Sequence, residues 1–464
     1  MKRALISCML VLVLACSVAA ADYSADIVVV GAGGAGLSAA VSAADNGVSV
    51  IVIEKMPFAG GNTTLSTGSV YAGGAARSLQ AGFYYPPSEF ANVIMTTSEG
   101  TCNERLARFV ASESGLTVNW LEGLGVQFRP VAAPGSSNST IPDGSGIIKP
   151  LLAACKERGV QVFLDTKGVA LLVENGHVAG VQAEQKGKSL TIESKAVILA
   201  TGGFAANRDM VAKYKPEYAD LIVSCSIGST GDGILMAQAI GAATIDMERV
   251  MPTPTAEINS KRLITAGMRN TAGAIIVNEH GQRFVDETWL YEPLSIALTE
   301  EMAKGTLDYV FEVFDEKGKE SVPIAQTYVD GGLTLQADTL EGLAEKLGLA
   351  PDSFAKTVQE YNQMIKEGRP DPFGKTKALK PIETPPFYGI KIKSGHLATR
   401  GGLKINEKAQ VLDLADNPIP GLYAAGEVTG GVFGGGYIGG GFLAEATVLG
   451  RVAGAQGAID VLSR

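Results

Sequence analysis

The apolar positions cluster in short runs separated by glycine-rich turns. The clearest runs bracket residues 25–55. Asp26–Val30 reads as a short buried strand, a helix of small residues follows, and a second apolar strand ends at Glu54. Neither strand alternates with polar residues, as expected of parallel strands covered on both faces. Between the first strand and the helix, Gly31, Gly33 and Gly36 stand at G-x-G-x-x-G spacing. In a dinucleotide-binding βαβ unit the first glycine permits the tight turn, the second lets a pyrophosphate approach the backbone, and the third allows close packing of helix on strand. The helix N-terminus offers free N–H groups and a positive dipole end to phosphates. Glu54 closes the unit where a carboxylate can accept hydrogen bonds from a ribose 2′-OH.

Farther along, the pattern continues as α/β. Pro57–Gly74, with GGNTTLSTG at 60–68, is a polar glycine-rich loop suited to wrapping a large planar ligand. Residues 88–127 read as helices, including Thr117–Leu124 ending at Gly125; Ser136–Gly146 reads as a loop and Ile148–Arg158 as a helix. Strands follow near 160–165 and 169–183. Ala196–Thr201 is a buried strand leading into Gly202-Gly203-Phe204, and Thr230-Gly231-Asp232-Gly233 opens a helix over Ile234–Ile240. From about 246 to 399 strands such as Ala274–Asn278 alternate with amphipathic helices. One helix starts at Asp338 with a capping box to Glu341. Another, Pro351–Ile365, places Phe354, Val358, Tyr361 and Ile365 on one face. After Gly401 the texture returns to that of the first part and ends in a small-residue helix. The fold expected is a Rossmann-like parallel α/β domain, residues 22–245 and 400–464, with an α+β capping domain inserted at 246–399.

Residues 1–21 fall outside this fold. Lys2 and Arg3, the apolar run Ala4–Ala15 and the small residues 18–21 match a secretory signal peptide. No later run reaches the roughly eighteen apolar residues of a membrane span. The expected product is an exported protein, periplasmic in a bacterium. A net charge of −9 with interspersed signs argues against nucleic acid. Cys102, Cys155 and Cys225 form no disulfide framework or metal spacing, His177, His280 and His396 are scattered, and there is no C-x-x-C-H haem site.

The ordered motifs GAGGAG, EK, GGN, ATGG, TGDG, T-x-GG and GLYAAGEVTGG resemble those of the soluble fumarate reductase/succinate dehydrogenase flavoproteins. The resemblance implies FAD as the cofactor. It places phosphate and ribose contacts at Gly31, Gly33, Gly34, Ala35, Gly36, Glu54 and Lys55. Further contacts are implied from Gly61, Asn62, Thr63, Thr64, Thr67 and Gly68 in the wrapping loop, and from Val169, Gly202 and Asp232. Glu427, Phe442 and Leu443 are implied near the flavin. The histidine that attaches flavin covalently in membrane-bound relatives is missing, so non-covalent FAD is expected.

The charged groups that hold fumarate in that family are replaced. The arginine after the R-F-x-N-E turn, here Arg283-Phe284-Val285-Asp286-Glu287, falls on Tyr291. The H-T-x-G-G histidine falls on Ala398, the second arginine on Tyr437, and the H-P-T histidine on Met251. Tyrosine at 291 and the segment Tyr437-Ile438-Gly439-Gly440-Gly441 are similar to the ketosteroid dehydrogenases. That likeness implies Tyr291 as the proton-exchanging group and Tyr437 with the Gly441 N–H as the carbonyl-oxygen site. A tyrosine, with a reference pKa of about 10, is a protonated donor at neutral pH. Packing roles for both tyrosines remain open. Arg269 and Arg400 are either anchors for one substrate carboxylate or structural arginines. The function expected is reduction of an activated C=C bond in a small unsaturated carbonyl compound, with electrons from an external carrier such as a c-type cytochrome. Ketone dehydrogenation and a non-catalytic flavin electron carrier are the alternatives.

Overall fold

The computed structural model describes residues 21–135 and 137–464. Apart from Ala21, the expected leader lies outside the described residues. The strand Tyr23–Val30 is central in an eight-stranded sheet, flanked in parallel by Val50–Ile53 and Lys188–Leu199, with Val30 opposite both Ile53 and Leu199. Gln161–Phe163 and Pro418–Ala424 extend the parallel set outward, and the strands Thr166–Glu174 and His177–Gln185 form an antiparallel hairpin joined to Lys188–Leu199. Ile27–Val30 are buried because helices cover them.

Helix Gly34–Asp45 packs along the C-terminal helix Gly441–Leu462. Their closeness explains the small residues: a Cβ at Gly450 would lie 2.3 Å from the Ala35 carbonyl oxygen, and one at Gly454 would lie 2.2 Å from that of Ala39.

A second, six-stranded sheet carries the insertion. Val250–Glu257, Phe387–Thr399, Val310–Asp315 and Ile275–Val277 run antiparallel, and Leu335–Ala337 also pairs with the long strand. Period-two alternation divides its side chains between two cores. Ile276, Val310, Phe314 and Ile390 face Met268 and Leu294, whereas Ile275, Phe311 and Val313 face Leu343, Phe354 and Val358. The first part has its own core, which includes Val250 and resumes at Leu403. Ile222–Val223, from before the expected boundary, joins the insertion's sheet as a parallel edge pairing. The chain crosses between the parts where Thr244–Ile245 pairs with Gly402–Leu403.

Local readings shift where side-chain caps decide them. The helix expected from Asp338 begins after Thr339, whose Oγ1 accepts from the Gly342 N–H at 3.0 Å, so no Asp338 capping box forms. Helix Pro351–Lys366 buries Phe354, Val358 and Tyr361 with Met364, leaving Ile365 only half-buried. The helix at Thr117–Leu124 is the end of a longer one, Glu104–Gly123, capped by Asn103. The loop at 136–146 contains strand Asn138–Ser139, paired with Ser69–Val70, and the next helix starts at Ser145. Among the described residues no helix is long and apolar enough to cross a membrane, and Cys102, Cys155 and Cys225 are free thiols.

Candidate active site

One cavity of about 1040 Å³ runs from the carboxyl ends of the parallel strands to the insertion. Its first end is built by the glycine turn. Gly31 has φ +107°, and a Cβ there would lie 2.3 Å from the Ala200 carbonyl oxygen; one at Gly36 would meet the Gly31 carbonyl oxygen at 1.9 Å. These two glycines let strand and helix close up. At Gly33 the space is open toward the cavity, the nearest atom to a Cβ being the Gly60 carbonyl oxygen at 3.9 Å. A pyrophosphate fits that opening at the start of helix Gly34–Asp45.

Glu54 is buried at its strand end. Its Oε2 accepts from the Ala32 N–H at 2.8 Å and its Oε1 from the Met56 N–H at 2.9 Å, so the carboxylate is fixed while lining the cavity. Lys55 donates to Thr230 and Asp232. Burial alone would raise the Asp232 carboxyl; the hydrogen bond and charge of Lys55 outweigh it and hold the group below its ordinary range.

The wrapping loop is tied across the cavity. Thr63 Oγ1 accepts from the Gly34 N–H at 3.2 Å. Asn62 donates to Glu427 Oε2 at 2.7 Å and accepts from the Ser226 N–H at 2.7 Å; Glu427 Oε1 takes the Thr399 N–H at 3.0 Å. Burial pushes the Glu427 carboxyl up. Ala35, Gly61, Thr64, Thr67, Gly202, Phe442 and Leu443 also line the cavity.

Two expected contacts are corrected here. Val169 sits at a strand irregularity between paired Gly168 and Ala170, is 43% exposed and lies off the cavity, whose edge is formed by Thr166, Lys167 and Gly168. Gly68, with φ +74°, packs against Thr140 and Asp143 instead of lining the space.

At the other end, Tyr291 begins helix Tyr291–Met302 and Tyr437 stands in the glycine-rich turn before the C-terminal helix. Their rings meet edge-on, centroids 5.0 Å apart at 69°. Burial pushes both phenols above their ordinary range. Phe442 and Phe433 continue the aromatic wall at centroid distances of 5.8 and 5.5 Å.

Gly441 does not serve as expected. Its N–H already donates to the Ile438 carbonyl at 2.9 Å, and Gly439 and Gly440 are the glycines that line the cavity. His396 lies off this cavity, its Nε2 2.6 Å from the Tyr218 carbonyl oxygen, and burial lowers its pKa. Ala398 lines the cavity and Met251 is buried outside it.

Arg269 and Arg400 both line the cavity. Arg400 Nη1 donates to the Gly435 and Gly436 carbonyls at 2.6 and 3.1 Å, and its Nη2 is 3.6 Å from Glu292. Arg269 lies beside Tyr291, 5.7 Å from its ring centroid. Sequence reasoning missed Ser224–Ser229, which lines the cavity and holds Asn62; its polar run CSIGS before TGDG was the available signal. It also missed Glu445, fully buried beside Thr429 and pushed up to about 8 by burial.

A glycine-turn cradle with a fixed carboxylate at its ribose end, opening beneath an inserted domain, defines a flavin-dependent oxidoreductase of two-part architecture. The family described as "FAD binding domain" matches residues 26–443. The chain is 35% identical over 95% of its length to the NADH:fumarate oxidoreductase of Klebsiella pneumoniae, of which it spans 48%. It is 33% identical over 94% of its length to the probable fumarate reductase Ifc3 of Shewanella frigidimarina, spanning 75% of that protein. The open conformation of a flavocytochrome c3 fumarate reductase superposes with a TM-score of 0.85 at 33% identity, covering 95% of this chain and 79% of the other. Further relatives are a urocanate reductase, an NADH:acrylate oxidoreductase, a vinyl phenol reductase and a 3-oxosteroid 1-dehydrogenase. The chain belongs to the FAD-dependent fumarate reductase/succinate dehydrogenase flavoprotein family, whose members are oxidoreductases of CH–CH bonds, and FAD is its cofactor.

The cavity offers no histidine side chain to the flavin among the described residues. Acid precipitation of the holoprotein should therefore release yellow FAD into the supernatant; flavin retained in the pellet would refute a non-covalent site.

Proposed function

We propose that this protein is an exported reductase of an activated C=C bond in an enone or enoate, with Tyr291 as proton donor. The observation that carries the reading is the Tyr291–Tyr437 pair, half-buried and lining the same cavity as the cofactor cradle. When bound, FAD supplies the hydride that such a reduction needs at Cβ. The chain's residues supply the rest. Tyr291 holds a proton for Cα, and burial keeps that phenol protonated through the neutral range. A positioned general acid contributes about 10²–10⁴ in rate. The Tyr437 hydroxyl donates to the carbonyl oxygen on which charge grows, a contribution of about 3–4 kcal/mol. Phe433, Phe442 and Ile438 give the cavity an apolar wall there, with Phe442 against Tyr437.

The leader pattern at residues 1–21 supports export to a periplasm, where a separate carrier, a c-type cytochrome, would deliver electrons. The reverse reaction, oxidation of a saturated ketone, uses the same two tyrosines and is favoured in part by the 3-oxosteroid 1-dehydrogenase relative.

The test is a screen of unsaturated acids and ketones against reduced viologen. At least one enone or enoate should outpace fumarate by tenfold or more. Fumarate carries two carboxylates, and with Tyr291, Tyr437 and Ala398 on the lining at least one of them would be left unpaired, which costs several kcal/mol for a buried carboxylate. Fumarate turnover equal to that of the best compound would refute the site reading. Reoxidation by dyes and cytochromes only would leave a flavin electron carrier.

A further inference from the structure

A guanidinium taken out of water without a counter-charge is strongly disfavoured, so buried arginines are normally paired with carboxylates. Arg269 is only 1% exposed, yet no ion pair joins it to a carboxylate among the described residues. Its Nη1 donates to the Glu287 and Trp289 carbonyls, and its Nε has no partner although the group lines the cavity beside Tyr291. Two other arginines line the cavity: Arg400 is buried but already held by two carbonyls and Glu292, and Arg262 is exposed, donating to Thr327.

Behind Arg269, in the insertion's core, lies an equally unusual carboxyl. Glu312 is in the middle of strand Val310–Asp315, opposite Ile276 and Ile390, fully buried, with neither oxygen partnered. The titratable and charged groups facing it are Arg269 from the turn Met268–Ala272, Glu287, Lys375, Tyr291 and Tyr328. Lys375 and Arg283 already pair with Glu287, at 3.0 and 2.8 Å, which leaves Arg269 as the one uncompensated cation of this set.

We propose that Arg269 anchors a single carboxylate on the unsaturated substrate, and that Glu312 is its concealed counter-group, binding a proton as the carboxylate arrives and losing it as the carboxylate leaves. The bearer of the carboxylate rests on the C=C reductase reading; the anion site itself does not. Burial pushes the Glu312 carboxyl up to about 8, against the pull of Arg269 and with the help of Glu287's negative charge. While Glu312 is neutral, the cation beside the cavity is free to be neutralised by a ligand. Once Glu312 ionises, it offsets Arg269 from behind and repels an arriving anion. Anion binding must then raise the Glu312 pKa further, so affinity falls above the free-state value by up to tenfold per pH unit. The site takes one carboxylate, not two, because Arg269 is the one buried arginine on the cavity lining that no carboxylate pairs with among the described residues.

The test uses oxidised holoenzyme, following the flavin difference spectrum during titration with crotonate and trans-3-phenylpropenoate and with their neutral amides. The acids should bind at least tenfold tighter than the amides at pH 6.5, and their affinity should fall about thirtyfold by pH 9.5, with proton uptake recorded by an indicator dye in weak buffer. Glu312→Gln should keep the low-pH affinity and lose the pH dependence; a merely structural role would not flatten the profile. Equal affinity for acids and amides in the wild type, including none for either, would overturn the proposal, as would a pH profile unchanged in Glu312→Gln. Tight, pH-dependent acid binding with no reduction of any unsaturated compound would keep the anchor and remove the reductase reading. Efficient reduction with no preference for acids would do the opposite.

Discussion

Tyr291→Phe is expected to lower turnover of the best unsaturated acceptor by two orders of magnitude or more while leaving flavin content and fold intact. The substitution removes one hydroxyl. The ring remains at the start of helix Tyr291–Met302, edge-on to Tyr437 and beside Arg269, so packing is conserved. What is lost is the proton for Cα, and a positioned acid contributes about 10²–10⁴. Because burial raises the Tyr291 pKa, the wild-type acid should stay protonated through neutral pH and be lost only above the ordinary phenol range. Tyr437→Phe should cost about 10²–10³, as for one oxyanion donor. In the double variant the losses should fall well short of additive, since both hydroxyls act on one enolate-like transition state. Stopped-flow oxidation of the reduced flavin by the acceptor separates this step from electron delivery. Near wild-type rates in Tyr291→Phe would assign the acid elsewhere.

The parts of this site that were legible in sequence are those in which one short segment does one job. Gly31, Gly33, Gly36 and Glu54 lie within a single strand–helix–strand unit, so their spacing alone fixes the turn and the ribose end. The insertion's strands and amphipathic helices were legible as a change of texture, but its division into two cores was not, because it depends on which helices cover each face of the strands at 275–277 and 310–315. What escaped depends on contacts between distant segments. Whether the Gly441 N–H is free is decided by the Ile438 carbonyl in a turn that sequence does not specify. Val169 looked like a strand residue at the cofactor, but an irregularity in its pairing moves it out of the cavity. Glu312 sits in an apolar strand where a carboxylate reads as an interruption, and its meaning appears only when the turn carrying Arg269 is folded beside it.

Glu54→Ala is expected to weaken FAD binding by a hundredfold or more. A carboxylate here can accept from ribose hydroxyls, and hydrogen bonds to charged groups are worth about 1.5–3 kcal/mol each. Two such bonds correspond to about 10²–10⁴ in affinity. The same side chain accepts from the Ala32 and Met56 N–H groups, 2.8 and 2.9 Å away, one inside the glycine turn and one just past the strand. Its loss therefore loosens the pyrophosphate turn as well as the ribose contact. Glu54→Gln separates the two effects. Its amide oxygen can still accept one backbone N–H, but the charge is gone and one acceptor becomes a donor, so an intermediate loss of about tenfold is expected. Flavin fluorescence during equilibrium dialysis reads both. Wild-type affinity in Glu54→Ala would mean that the ribose is held elsewhere along the cavity, and Lys55 with Asp232 would then be the pair to vary.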